Sequence, residues 1–151
     1  MKATDLLKKQ HKEVKALFKK VGSTENARER RRLMNDIATA LEGHATIEEE
    51  MFYPAVRGLE TQKAEEMVLE AFEEHHVVKL VLAELPQVDP ADERFEAKMT
   101  VLSELVEHHA DEEEKEMFKA AHKLGKDELE ALGTQMEERF EALAAQKKRA
   151  A

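Results

Sequence analysis

The sequence predicts an all-α protein: an up-down-up-down four-helix bundle made from a duplicated helical hairpin, followed by a short C-terminal fifth helix. Glycine and proline are scarce, with 5 and 3 residues among 151, whereas helix-favouring Ala, Leu, Glu and Lys are abundant. Apolar residues recur at helical spacing in four long stretches, and the second half of the chain repeats the pattern of the first. We expect a single domain over residues 1–151, with the bundle at about 4–124 and the fifth helix at about 127–146.

Residues that favour helix ends bound each predicted helix. Polar residues that can cap an N-terminus precede the bundle helices: Thr4, Ser23 or Thr24, Thr61, and Asp89 before Pro90. Residues that interrupt helices follow them: Gly22, Pro54 with Gly58, Pro86 and Gly125. Asp127 and Glu130 form a capping-box pattern for the fifth helix, which Gly133 weakens. Gly43, inside the second helix, suggests a place of close packing.

The composition excludes several classes of function. A formal charge of −9 argues against binding to nucleic acid or to anionic membranes. No apolar run approaches the roughly 18 residues of a transmembrane helix, and the N-terminus has no signal-peptide pattern. We therefore expect a cytoplasmic protein, a monomer or weak homodimer, and the sequence does not identify a protein partner. Because the chain has no cysteine, a metal ion would need nitrogen and oxygen ligands.

The most informative feature is a His-x-x-x-Glu motif that occurs twice, each time after a single histidine on the preceding helix. A spacing of four residues places the imidazole and the carboxylate one turn apart on the same helical face. All members of the pattern lie on the apolar stripes of their helices. The pattern contains six residues: His11, His44, Glu48, His75, His109 and Glu113.

The offset between the two halves is nearly constant, which supports a duplicated hairpin. His11 and His75 are 64 residues apart (75 − 11), and His44 and His109 are 65 residues apart (109 − 44). Each lone histidine lies a similar distance before the end of its helix, so that the four helices can bring their polar residues to one level of the bundle. The repeat therefore predicts one shared site.

A metal site explains why charged groups lie on apolar stripes, since a buried charge must be paired, neutralised or bound to a metal. Four imidazoles and two carboxylates suit iron, manganese or zinc, and imidazole favours iron over magnesium or calcium. Two carboxylates could bridge two ions and leave coordination positions open. The alternatives are hydrogen-bonded core histidines, a solvated acidic face, and a bundle with a purely structural role.

The other histidines and glutamates near the pattern are not expected to be ligands. The helical stripe and the repeat favour His75 over His76 and His109 over His108, with the first choice less secure. We expect His76, His108 and His122 to support the site or lie on the surface. Two further glutamates, Glu49 and Glu114, should point away from the helical seam into solvent. Tyr53, the only tyrosine, lies close in sequence to the site, and a redox role for it is a hypothesis.

These motifs resemble the hemerythrin-like, or HHE cation-binding, domain family over about residues 4–124. The resemblance rests on these segments: His11, His44-x-x-x-Glu48 followed by Met51-Phe52-Tyr53-Pro54, Glu74-His75-His76, and His108-His109-x-x-x-Glu113 followed by Met117-Phe118. It implies a four-helix bundle with a carboxylate-bridged, non-haem di-iron centre and an oxo or hydroxo bridge. By this resemblance, the six residues of the pattern would be the iron ligands.

One departure from the family bears on function. Oxygen-carrying hemerythrins have an additional histidine on the third helix, and here that position is Lys79. The resemblance is instead to bacterial hemerythrin-like proteins, which makes simple oxygen carriage doubtful. We predict a protein that binds or senses oxygen, nitric oxide or iron. The alternative is a redox-protective enzyme with catalase-like peroxide breakdown at the open iron positions.

Overall fold

The computed structural model describes residues 1–150, and Ala151 lies outside the described residues. Within that range the α-helices are α1 (Ala3–Ser23), α2 (Ala27–Ile47), α3 (Tyr53–Arg57), α4 (Gln62–Glu84), α5 (Glu93–Glu112), α6 (Phe118–Ala121) and α7 (Lys126–Ala150). A π-helical turn at Glu48–Phe52 joins α2 to α3, and a second one at Glu113–Met117 joins α5 to α6. Short 3₁₀ turns follow α4 and α6, at Leu85–Gln87 and His122–Leu124.

The bundle consists of four rods: α1, α2 with α3, α4, and α5 with α6. Helix α1 packs against α2 and α5, and α4 packs against α5 and α3, which confirms the predicted all-α four-helix bundle. Apolar residues form two clusters, one toward each end of the bundle. His11 lies between Leu7 of one cluster and Val14 of the other, and the remaining predicted site residues occupy the same intermediate layer.

The helix starts were predicted correctly in one case out of four. Thr61 caps α4, since its hydroxyl accepts a hydrogen bond from the Ala64 amide. Thr4 is wrong as a cap because α1 begins one residue earlier and encloses it. Asn26 caps α2 in place of Ser23 or Thr24, and Asp92 caps α5 in place of Asp89, whose carboxylate closes a preceding turn.

The C-terminal helix is longer than predicted and belongs to the packed structure. It spans 25 residues, Lys126–Ala150, and packs along α1 and α2. Two glycines allow this close approach: a Cβ added to Gly43 would lie 2.8 Å from the ring of Phe140, and one added to Gly133 would lie 2.0 Å from the Met1 carbonyl oxygen. The close packing suggested for Gly43 is therefore confirmed. Gly133, expected to weaken the helix, fits α7 against the N-terminus, and Asp127, expected to cap the helix, lies within its first turn.

No helix within residues 1–150 has both the length and the apolar character needed to cross a lipid bilayer.

Candidate metal centre

The six residues of the sequence pattern come together in the middle layer of the bundle, one group from each rod. All six side chains are buried, and Glu48 and Glu113 are 0% and 2% exposed. Their donor atoms form two overlapping groups, each within 4.8 Å. The first group contains His11, His44, Glu48 and Glu113, and the second contains Glu48, His75 and His109.

The two carboxylates connect the halves of the chain. Glu48 Oε1 lies 3.2 Å from Nε2 of His44, in its own half, and 3.1 Å from Nε2 of His75, in the other half. Glu113 repeats the arrangement, with Oε2 3.2 Å from His109 Nε2 and Oε1 3.1 Å from His11 Nε2. Each carboxylate therefore faces one histidine of each half, as a ligand that bridges two ions would.

A hydrogen-bond acceptor holds the outer nitrogen of every histidine. Glu114 lies 2.9 Å from Nδ1 of His11, and Glu49 lies 2.7 Å from Nδ1 of His75. The other two contacts are Gln10 to His44 Nδ1 at 2.7 Å and Glu74 to His109 Nδ1 at 2.8 Å. Because these oxygens accept, Nδ1 carries the proton in each ring and Nε2 directs its lone pair into the centre, as in metal-binding histidines.

The placement of Glu49 and Glu114 corrects the sequence-based expectation that both point into solvent. They are only partly exposed and bind the outer nitrogens of His75 and His11. The cause is the π turn that begins one residue before each of them, where the Tyr53 and Phe118 amides bond five residues back to Glu48 and Glu113. A π turn contains more residues than an α turn, so adjacent side chains diverge less around the axis and two consecutive glutamates can face the site.

Two buried polar atoms in the centre lack a hydrogen bond to any residue from 1 to 150: Nε2 of His44 and Oε2 of Glu48. Buried polar atoms are nearly always paired, so an unpaired nitrogen and an unpaired oxygen in one centre call for a further partner. The Nε2 atoms of His75 and His109 also lie only 3.2 Å apart, although both are acceptors in the neutral rings. A cation satisfies all of these atoms, and the nitrogen and oxygen donors suit a transition metal.

The charged groups of the centre shift one another's pKa values in directions that favour a bound cation. Burial alone would lower the pKa of His11, but hydrogen bonding to Glu113 and the nearby carboxylate charges outweigh burial and raise it. Burial also opposes protonation of His75, and Glu48 overcomes it, so that the pKa of His75 is raised. Burial would raise the pKa of Glu48, yet the imidazole of His44 and hydrogen bonds in the centre lower it well below its ordinary value. Ionised carboxylates thus attract positive charge here, whether protons or a metal ion.

Tyr53 belongs to this centre, although the sequence offered only its proximity as a signal. Its buried hydroxyl donates a hydrogen bond to Glu113 Oε2 at 2.6 Å and lies 3.1 Å from His75 Nε2 and 3.2 Å from His109 Nε2. Burial, followed by the charges of Glu48 and Glu113, raises the phenol pKa well above its ordinary value. Tyr53 is therefore a neutral hydrogen-bond donor at one side of the centre.

A cavity of about 50 Å³ lies against the centre on the side away from Tyr53. All four histidine rings form part of its lining. The rest is mainly apolar: Val14, Leu41, Ala45, Val78, Leu82, Val106 and Ala110, with Glu42 and Lys79 as the charged members. Since a single water needs roughly 10–15 Å³ of such space, the cavity can hold a molecule of a few atoms.

The remaining histidines do not enter the centre. His76 is exposed, as are His108 and His122, so the structure places His75 and not His76 beside the carboxylates. His108 contacts Glu74 and Glu112 at the surface. Lys79, which stands where oxygen-carrying hemerythrins have a histidine, binds the carboxylate of Glu49 at 2.9 Å.

Two known proteins are similar to this chain in sequence. An uncharacterised protein from Mycobacterium tuberculosis is 33% identical over 147 residues, which cover 95% of this chain and 88% of that protein. A DNA nickase from a Nostoc species is 26% identical over 120 residues, covering 80% of this chain and 33% of the nickase.

A solved structure and a family model complete the comparison. The crystal structure of a hemerythrin HHE cation-binding domain-containing protein from Mycobacterium kansasii superimposes with a TM-score of 0.85 and 30% identity, covering 97% of this chain and 89% of that one. The family model of the hemerythrin HHE cation-binding domain matches residues 2–121. The chain therefore belongs to the hemerythrin HHE cation-binding family.

Proposed function

We propose that this protein is a non-haem di-iron protein that binds or senses a small neutral molecule, oxygen or nitric oxide, at its buried centre. In this proposal residues 1–151 form one domain around the centre. The six proposed ligands are His11, His44, Glu48, His75, His109 and Glu113. When bound, two iron ions supply open coordination positions and the redox chemistry of non-haem iron.

The two-ion arrangement is supported by how this chain divides its donor atoms. His11 and His44 face one side of the carboxylate pair, and His75 and His109 face the other. Only the two glutamates are shared between the sides. Six protein donors are too few to fill two octahedral positions, so room remains for an external ligand.

The observation that carries the proposed ligand is the cavity of about 50 Å³. Its walls offer few hydrogen bonds, and burying a polar molecule without hydrogen bonds is unfavourable. A diatomic gas loses little on entry, whereas hydrogen peroxide must give up its hydrogen bonds to water. Tyr53, a hydrogen-bond donor of the centre, does not line this cavity. Gas binding is thus favoured over catalase-like peroxide breakdown.

The test is metal analysis and spectroscopy on protein purified aerobically without added metal. We expect about two irons per chain and near-ultraviolet absorption typical of bridged di-iron centres. The protein, reduced and kept free of air, should change its absorption spectrum when oxygen or nitric oxide is then added. A di-iron protein indifferent to both gases would contradict the gas-binding function. Oxygen release from peroxide above that of free iron would favour the catalase-like alternative.

A narrower cavity gives a matched variant for the same assay. Val106 lines the cavity and is not a proposed ligand. Val106→Phe should fill it, so that the iron content remains unchanged while the response to gas slows or disappears. Val101→Phe, at an exposed position of α5, is the control. An unchanged gas response in Val106→Phe would place the binding path elsewhere.

A further inference from the structure

We infer that the metal position formed by His75 and His109 fills before the position formed by His11 and His44, and binds its ion more tightly. This inference rests on the proposed two-ion centre and concerns how the two positions differ. The second position has the fewer donor atoms within 4.8 Å, three against four, and the difference that favours it comes from the neighbours of the ligands.

The first observation is a carboxylate on one side where the other side has an amide. Glu74 accepts a hydrogen bond from His109 Nδ1 at 2.8 Å, and Gln10 accepts one from His44 Nδ1 at 2.7 Å. Gln10 and Glu74 are equivalent in the repeat, because each directly precedes the lone histidine of its half. The two bonds have nearly the same length, so the geometry is matched and the charge is not.

The other outer contacts are of the same kind in both halves. His11 and His75 each donate a hydrogen bond through Nδ1 to a carboxylate, from Glu114 and Glu49 respectively, and Glu49 is also paired with the exposed amine of Lys79. The second-half position therefore has two carboxylates behind its histidines, and the first-half position has one. A carboxylate at Nδ1 makes the imidazole a stronger donor and adds a negative charge near the ion, and loss of such a partner typically costs about 10–100-fold in metal affinity.

The second observation is the surface beside each position. A cavity of about 40 Å³ reaches His109 and Glu113 from the outside of α4 and α5. Its lining includes four carboxylates: Glu70, Glu74, Glu112 and Glu116. The equivalent residues of the first half are neutral: Leu6, Gln10, Ile47 and Met51. A cation is thus attracted toward the second-half position and not toward its counterpart.

The experiment is a calorimetric titration of the metal-free protein with Co(II), followed by crystals of protein loaded with one equivalent of Co(II). We expect two binding steps whose affinities differ by about 10–100-fold. The anomalous scattering peak in the crystals should lie mainly beside His75 and His109. Glu74→Gln keeps the hydrogen-bond acceptor, as Gln10 demonstrates, and should weaken the first step until the two steps merge.

A charge swap makes the test independent of folding defects. Gln10→Glu combined with Glu74→Gln should restore two separate steps and move the anomalous peak beside His11 and His44. Unfolding curves of the metal-free variants check that each one folds.

The outcomes separate the inference from the proposed function. Equal anomalous peaks at the two positions of the wild-type protein, or binding steps unaffected by Glu74→Gln, would overturn the inference and leave the two-ion centre intact. Binding of fewer than two Co(II) ions by the wild-type protein would instead contradict the proposed centre itself.

Discussion

The two halves of the chain share a ligand layer and differ in several of the residues that surround it. The six donors are related by the repeat, and so are the π turns that contain Glu48 and Glu113. Around them, Gln10 corresponds to Glu74 and Tyr53 corresponds to Phe118, which stacks on His11 where Tyr53 contacts His75. Duplication thus supplies a symmetric set of donors in an asymmetric environment.

Helix α7 accounts for much of this asymmetry. It packs along α1 and α2 and buries the apolar residues of the first half. Among residues 1–150 no equivalent helix covers α4 and α5, and there the matching positions carry carboxylates that line an opening. A helix face that α7 covers is apolar, whereas an uncovered face can carry charges. The position of α7 therefore also determines which group of ligands lies near solvent.

The largest expected effect of a single substitution is at Glu48, since it belongs to both donor groups. Glu48→Gln should reduce the metal content from about two ions per chain to one or none, because the amide is a weaker ligand and carries no charge. Histidine variants should differ by half: His44→Gln should affect the first position, and His109→Gln the second. Metal analysis per chain, by plasma mass spectrometry, measures each case.

The control for Glu48 is Glu50→Gln, which changes an exposed glutamate of the same π turn. Its metal content should equal that of the wild-type protein. A Glu48→Gln protein that retains two ions would show that Glu48 is not a bridging ligand.

The bundle and the middle layer could be predicted because the decisive signals are local and repeated. Apolar periodicity determines which face of each helix is buried, and His11, His44, His75 and His109 fall on that face. The constant offset between the halves then predicts that these side chains meet. Capping residues were less reliable, since Asn26 and Asp92 compete with other polar residues nearby.

The supporting residues of the centre were harder to predict because they depend on nonlocal geometry. An α-helical wheel turns Glu49 and Glu114 away from the seam, and nothing in the composition indicates the π turns that bring them back. The repeat did contain a usable signal, since Glu49 and Glu114 are 65 residues apart (114 − 49). The predicted fifth helix ended at about residue 146 because the basic residues that follow have no apolar periodicity, whereas α7 continues to Ala150.

The packing of α7 on the first half can be tested by adding a methyl group where α7 contacts the N-terminus. Gly133→Ala should lower the free energy of unfolding by about 3 kcal/mol, the upper part of the range for overpacking, because backbone atoms obstruct the added Cβ. Gly22→Ala, where nothing lies within 4 Å of an added Cβ, should instead stabilise the protein by up to about 1 kcal/mol. Urea unfolding measures both. Equal effects of the two substitutions would contradict close packing of α7.

The last prediction concerns the stability that the hydroxyl of Tyr53 contributes, which its counterpart Phe118 lacks. Tyr53→Phe places a phenyl ring on both sides and removes the hydrogen bond that the hydroxyl donates to Glu113 at 2.6 Å. A hydrogen bond to a charged group contributes about 1.5 kcal/mol or more, so the metal-free protein should lose about that much stability in urea unfolding with a chelator present. Phe72→Leu, which changes a ring that packs on Tyr53 without touching the hydroxyl, is the packing control.

Addition of metal should then reduce the difference between wild type and Tyr53→Phe, because a bound cation satisfies Glu113 in place of the phenol. A difference that stays the same with and without metal would mean that Tyr53 stabilises the fold independently of the centre.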